Sequence, residues 1–215
     1  MKPNPLFPLL TSLTLAWLPS QAQAMSFGGL TVTPRGAQNL NLETGATDLP
    51  SGGTATDTRG GMVLSGAKMQ LKPDDSLVAQ NATLKTKQGG VLKANNVVYD
   101  LKSGTASASG NVSYSDARVK ELTAETIVLY VRSGFVVASG GVKASQPDMS
   151  GNTLIFDPFT MRSVLTGPFS VNTRYGHPKG ALGTKIMLTF GGSSLISANT
   201  NPSPDDLARF APYLK

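Results

Sequence analysis

Histidine, cysteine and paired carboxylates build most catalytic and metal sites, and this chain is poor in them. It has one histidine, His177, and no cysteine. Nucleophilic triads and most metal centres need one or the other, and without cysteine there are no disulfides or thiolate ligands. His177 stands in "RYGHPKG", a turn-like context where an imidazole is solvated rather than set against a nucleophile. Two adjacent carboxylate pairs, Asp74-Asp75 and Asp205-Asp206, raise the chemistry of glycoside hydrolysis. That reaction needs two carboxyls about 5 to 9 Å apart across a substrate. The first pair falls in a mid-repeat turn and the second in the first turn of a helix, both places where Asp serves local hydrogen bonding. No G-x-G-x-x-G, G-x-x-x-x-G-K-[ST] or G-x-S-x-G sequence occurs. The expectation is a protein that is not an enzyme and has no metal and no cofactor.

The elements that would position any site are written as a repeat. Four 21-residue stretches, starting at Leu64, Leu92, Leu122 and Met149, align without gaps. Their opening column is Leu64, Leu92, Leu122, Met149, and their third is always small, Gly66, Ala94, Ala124, Gly151. Two apolar columns follow, Met69, Val97, Ile127, Leu154 and Leu71, Tyr99, Leu129, Phe156. Turn-formers sit mid-repeat at Asp75-Ser76, Ser103-Gly104 and Ser133-Gly134, and the closing column is Leu84, Val112, Val142, Phe169. Gly110, Gly140 and Gly167 stand two before the end in three copies.

Apolar columns two apart place side chains on one face of an extended chain, whereas a helix needs spacings of three and four. The β-branched and aromatic content of "ETIVLYV" and "GFVVAS" agrees. Each unit is then strand, tight turn, strand and a glycine-containing corner. Units of this size stack because none can bury its apolar face alone. At about 28 residues per unit the mature chain holds six or seven units and roughly 12 to 16 short strands. Residues 25–198 read as one all-β domain. Residues 199–215 read as a tail with a short helix, capped by Ser203 and started by Pro204, with Leu207, Phe210 and Leu214 on one face.

Residues 1–24 have the layout of a secretory signal peptide: Lys2, an apolar run from Leu6 to Leu18, and Ala22 and Ala24 before a cleavage site. The expected product is exported. Setting Lys2 aside, 18 of the 19 basic residues remain against 13 acidic ones, a surplus of +5. Such a charge suits an anionic partner, a phosphorylated glycolipid or an acidic envelope polymer. No dense Lys/Arg run interleaved with aromatics is present, so nucleic acid is not expected as a partner.

Successive hairpins with apolar columns on one face predict a continuous apolar strip, either a closed core or an open groove. Its residues are Met69, Leu71, Val97, Tyr99, Ile127, Leu129, Leu154 and Phe156, joined by Phe135, Val137 and Phe169. "LKANNVVYD" followed by "ASASGNV", and "LTAETIVLYV" followed by "VVASGGV", resemble the repeats of the OstA-like (LptA) family. Ala94, Tyr99, Asp100, Gly110, Asn111 and Val112 match the family's pattern, while Asn95 stands where Asp is usual. The resemblance covers Leu64 to Phe169. It implies an elongated open β-jellyroll of stacked antiparallel strands that acts as a periplasmic carrier, bridging the inner and outer membranes. In that role the apolar strip is a groove sheltering the acyl chains of lipopolysaccharide or another anionic glycolipid. The resemblance also implies LptC-like and LptD-like partners and an end-to-end homo-oligomer. Lys93, Lys102, Arg118, Lys120, Arg132 and Lys143 are then candidates to meet head-group phosphates. The rival expectation is a structural or polymer-binding β-solenoid with a filled core.

Overall fold

The computed structural model describes residues 23–27 and 29–214; the expected leader, apart from Gln23 and Ala24, lies outside them. Among these residues eighteen strands join in one antiparallel sheet. They are β1 (Met25–Phe27), β2 (Leu30–Pro34), β3 (Asn39–Leu40), β4 (Thr47–Leu49), β5 (Gly53–Asp57), β6 (Met62–Gly66), β7 (Lys68–Lys72), β8 (Ser76–Thr86) and β9 (Val91–Asp100). The second half of the chain adds β10 (Thr105–Ser115), β11 (Leu122–Tyr130), β12 (Val136–Ser145), β13 (Asp148–Asp157), β14 (Arg162–Thr166), β15 (Phe169–Val171), β16 (Lys179–Gly180), β17 (Lys185–Gly191) and β18 (Ser194–Asn199). The strand count exceeds the expected range because several passes of the chain break at a corner into two short strands, as β6 and β7 do at Gly66-Ala67.

The sheet is bent back on itself. The long strands β9 to β13 each cross a line of register shifts: β10 and β11 slip between Ser109 and Val112, and β12 and β13 between Ser139 and Val142. An extra residue in one strand bends it and raises its twist. The sequence supplies residues that accept the backbone this requires, with φ of +74° and +50° at Gly110-Asn111 and +84° and +70° at Gly140-Gly141.

The bend makes two facing layers. The first contains β3, β4, β7, β14, β17 and β18 together with the turn-proximal parts of the long strands that carry Ala79, Val97, Ala108, Ile127, Ala138 and Leu154. The second contains β1, β2, β5, β6, β15 and β16 with the remaining parts of β8 to β13. Inward positions follow the bend. In β9, Leu92 and Ala94 face in, then Val97 and Tyr99, a spacing of two, three and two. In β10 the inward Ala106-Ala108 and Val112-Tyr114 pairs are separated by exposed Ser109 to Asn111. The bulge thus keeps one side of the chain inward through both layers, and a single apolar cluster runs between them.

The sheet does not close into a barrel. Among the described residues β3 pairs only with β4 and β18 only with β17, leaving an edge at each end of the first layer.

After Asn199 the chain forms α1 (Pro204–Ala208), where Ser203 and Asp206 make a reciprocal capping box. A short 3-10 turn, Ala211–Tyr213, follows. This tail lies on the outer face of the first layer, where Phe210 is buried against Phe135, Val137, Ile155, Val164 and Met187.

Candidate functional site: the apolar interior and its seam

Two rows of side chains cross the interior face of the first layer at right angles to the strands. One runs Leu49, Met69, Ala79, Val97, Ala108, Ile127, Ala138, Leu154, Leu165, Ile186, each directly opposite the next. The other runs Leu71, Leu77, Tyr99, Ala106, Leu129, Val136, Phe156, Ser163, Leu188. With neighbouring strands about 4.8 Å apart, the first row is on the order of 40 Å long. In it, every second strand supplies a large repeat-column residue and the strands between supply Ala79, Ala108 and Ala138. The second layer faces these rows with Leu64, Leu84, Leu92, Tyr114 and Leu122, themselves in register.

All eleven strip residues are at most 9% exposed. Met69, Leu71, Val97, Tyr99, Ile127, Leu129, Leu154 and Phe156 lie in the two interior rows, and Phe169 joins the same cluster from the second layer. Phe135 and Val137 do not. They belong to the outer-face cluster under the C-terminal tail. Val136 and Ala138 point inward, so strand alternation turns Val137 outward; the run "FVVA" is apolar on both faces and hides the difference. The other nine strip residues are packed core, in one apolar cluster with side chains of the opposite layer.

One long side of the interior is the covalent corner. The other is a seam where the turns of the two layers meet, around a cleft of about 20 Å³ lined by Gly60, Tyr114, Arg118, Val131, Phe135 and Pro158, among others. Polar contacts cross this seam. The Tyr99 hydroxyl, from the first layer, donates to the Asp57 carboxylate at the end of β5 in the second. Arg118, in the loop after β10, lies 4.7 Å from the centroid of the Phe156 ring and donates to the Met161 sulfur at 3.3 Å. Asp116 holds that guanidinium through Nη2 at 2.5 Å and Nε at 3.1 Å.

Asp57, Asp116 and Asp157 are 1%, 3% and 0% exposed. Each ends or follows a strand and accepts from backbone N–H groups just ahead: Asp57 from Arg59 and Gly60, Asp116 from Arg118 and Val119, Asp157 from Phe159. Burial alone would raise the Asp57 carboxyl. The Tyr99 hydroxyl, the two amides and the Arg59 charge outweigh it and hold the group below the usual carboxylate range. Asp116 is likewise held low: against burial stand Arg118, by hydrogen bond and charge, and two amides. Burial, reinforced by the neighbouring carboxylates, pushes Tyr99 and Tyr114 well above the usual phenol value. The third aspartate, Asp157, accepts from Arg209 of the tail rather than across the seam.

Sequence reasoning passed over these aspartates. Their signal is an Asp directly after an alternating apolar run, as in "TATDTRGG" and "LIFDPFT", where its side chain shapes the turn. Of the basic candidates, Arg118 lies at the seam, buried. Lys93, Lys102, Lys120, Arg132 and Lys143 are exposed, and Lys143 lines a shallow depression of about 690 Å³ along the corner with Gly110, Asn111, Thr123 and Glu125.

His177 is exposed in its loop, Asp74 and Asp75 occupy an exposed turn, and Asp206 is spent on capping α1. The Ser163 hydroxyl is the single buried side-chain polar atom without a hydrogen-bond partner among the described residues, and it sits in the second interior row between Phe156 and Leu188. No group of three or more His, Cys, Asp or Glu side chains comes together among the described residues, and no helix there is long and apolar enough to cross a membrane. No family model matches the chain, and no curated protein matches it.

Proposed function

We propose that this chain carries the acyl chains of lipopolysaccharide, or of a similar anionic envelope glycolipid, between the two layers of its sheet. The observation that supports this most is the continuous apolar interior, which runs the length of a sheet that is bent but not closed. Each methylene exposed to water costs about 0.8 kcal/mol, so an acyl chain of a dozen carbons costs on the order of 10 kcal/mol in an aqueous gap. Parting the layers exposes their apolar faces to the same penalty, but a lipid tail between them replaces one apolar contact with another. The process makes and breaks no covalent bond. The free edges at β3 and β18 suit strand addition by a second copy or by LptC-like and LptD-like neighbours, and the basic surplus suits head-group phosphates. An exported, periplasmic location belongs to the same proposal.

A second reading, a structural or polymer-binding β-solenoid, draws support from the near-complete burial of the strip. Gel filtration with fluorescently labelled lipopolysaccharide separates the two. Co-elution that unlabelled lipopolysaccharide abolishes and its de-acylated form does not is the carrier result. Absence of co-elution, or equal competition by the de-acylated form, leaves the scaffold.

A further inference from the structure

The second interior row carries two hydroxyls in different circumstances. The Tyr99 hydroxyl donates to Asp57. The Ser163 hydroxyl has no hydrogen-bond partner, although the residue is 0% exposed. Ser163 and Leu165 face inward, and Val164 between them turns outward under the tail. Directly opposite Ser163 stand Phe156 on β13 and Leu188 on β17, whose side chains have no polar atom to offer. Arg118 lies over the Phe156 ring, but its guanidinium is committed to Asp116 and Met161. Packing does not call for the Ser163 hydroxyl. Ala106 on β10 and Val136 on β12 fill the same row, so small apolar side chains suit this face. A buried hydroxyl without a partner weakens the fold, and alanine would avoid that loss.

We propose that Ser163 is the polar contact for a hydroxyl borne by the acyl chain in the interior, and that it selects hydroxylated acyl chains over plain ones. This rests on the carrier function proposed above and specifies its substrate class. A chain hydroxyl that leaves water for an apolar space loses its hydrogen bonds, and a wholly apolar interior rejects it. A serine hydroxyl both donates and accepts, so the two hydroxyls satisfy each other. An ester carbonyl is the poorer match, because it only accepts and stays beside the head group. Tyr99 does not compete for the role, since its proton is directed at Asp57. Ser163 stands one residue in from the start of β14, at the margin of the interior. The matching hydroxyl therefore belongs a few carbons from the polar end of the chain, not in its middle.

The test is competition against bound, fluorescently labelled lipopolysaccharide by two acids of equal length, dodecanoate and 3-hydroxydodecanoate. Wild type and Ser163→Ala are compared. Wild type should bind the hydroxylated acid at least as tightly as the plain one. In Ser163→Ala the hydroxylated acid should weaken by about tenfold while the plain acid is held as before, so the ratio of the two constants shifts by that factor. A merely structural role for Ser163 would change both constants together and leave their ratio alone. A ratio that moves by less than about twofold overturns the assignment. Displacement of the label from wild type by neither acid also overturns it, with the carrier function intact. A label that does not bind wild type at all overturns the carrier function, and this assignment with it.

Discussion

The Tyr99 hydroxyl donates to the buried Asp57 carboxylate across 42 residues of sequence and from one layer of the sheet to the other. Around this pair the fold shows its division of labour. The corner is held by backbone, the interior by apolar packing, and the seam by a few polar contacts anchored in turns.

Hydrogen bonds to a charged group contribute about 1.5–3 kcal/mol each. Tyr99→Phe keeps the ring in the interior and removes only the hydroxyl, so it should lower stability by about that amount. Urea denaturation of the two proteins measures it. A loss below about 0.5 kcal/mol would show that the seam closes by apolar contact alone.

Acid should destabilise the fold. The Asp57 and Asp116 carboxyls are held below their ordinary value of 3.8 in the folded protein. A group depressed on folding contributes stability that is fully present above its unfolded value and is lost as the pH falls through its folded value. Thermal melts should therefore be insensitive to these groups from neutral pH down to about 5 and fall steeply below about 4. Asp116→Asn should be less stable at neutral pH and show a shallower acid decline. An equally steep acid limb in that variant would place the sensitivity elsewhere.

Phe210 anchors the tail to the outer face, packing edge-on against Phe135 with ring centroids 6.1 Å apart. Phe210→Ala should cost about 3 kcal/mol of docking. The readout is limited proteolysis after Asn199, where the variant should lose its tail much faster than wild type while the strand core resists. Equal cleavage rates would mean that Tyr213, stacked on Phe135, and the Arg209–Asp157 and Arg162–Asp206 pairs hold the tail without Phe210.

Ser163 buries a hydroxyl with no partner in an apolar row. An unsatisfied buried polar group costs about 1–3 kcal/mol, so Ser163→Ala should raise the melting temperature. A lower melting temperature would reveal a partner for that hydroxyl.

The all-β architecture was legible because the repeat columns two apart can only be strands, and the mid-repeat turns fall where Ser103-Gly104 and Ser133-Gly134 put them. The corner was written in the same columns, since Ala94 to Val97 and Ala124 to Ile127 are three apart where β9 and β11 bend; the extra residues of the bulge lie beside them, at Gly110-Asn111 in β10 and Gly140-Gly141 in β12. The outward turn of Phe135 and Val137 was not legible, because both faces of that strand are covered and both are apolar. Nor was the seam. Tyr99 meets Asp57, and Arg118 meets Phe156, through a bend that brings distant turns together, and no local pattern encodes the pairing.

Native mass spectrometry of the protein purified from its own host tests the central claim most directly. A folded species heavier than the bare chain by the mass of a multi-acyl lipid, which reverts to the bare mass on organic extraction, is the result expected. A single species at the bare mass, unchanged when lipopolysaccharide is added in excess, would mean that the interior is a filled core and carries nothing.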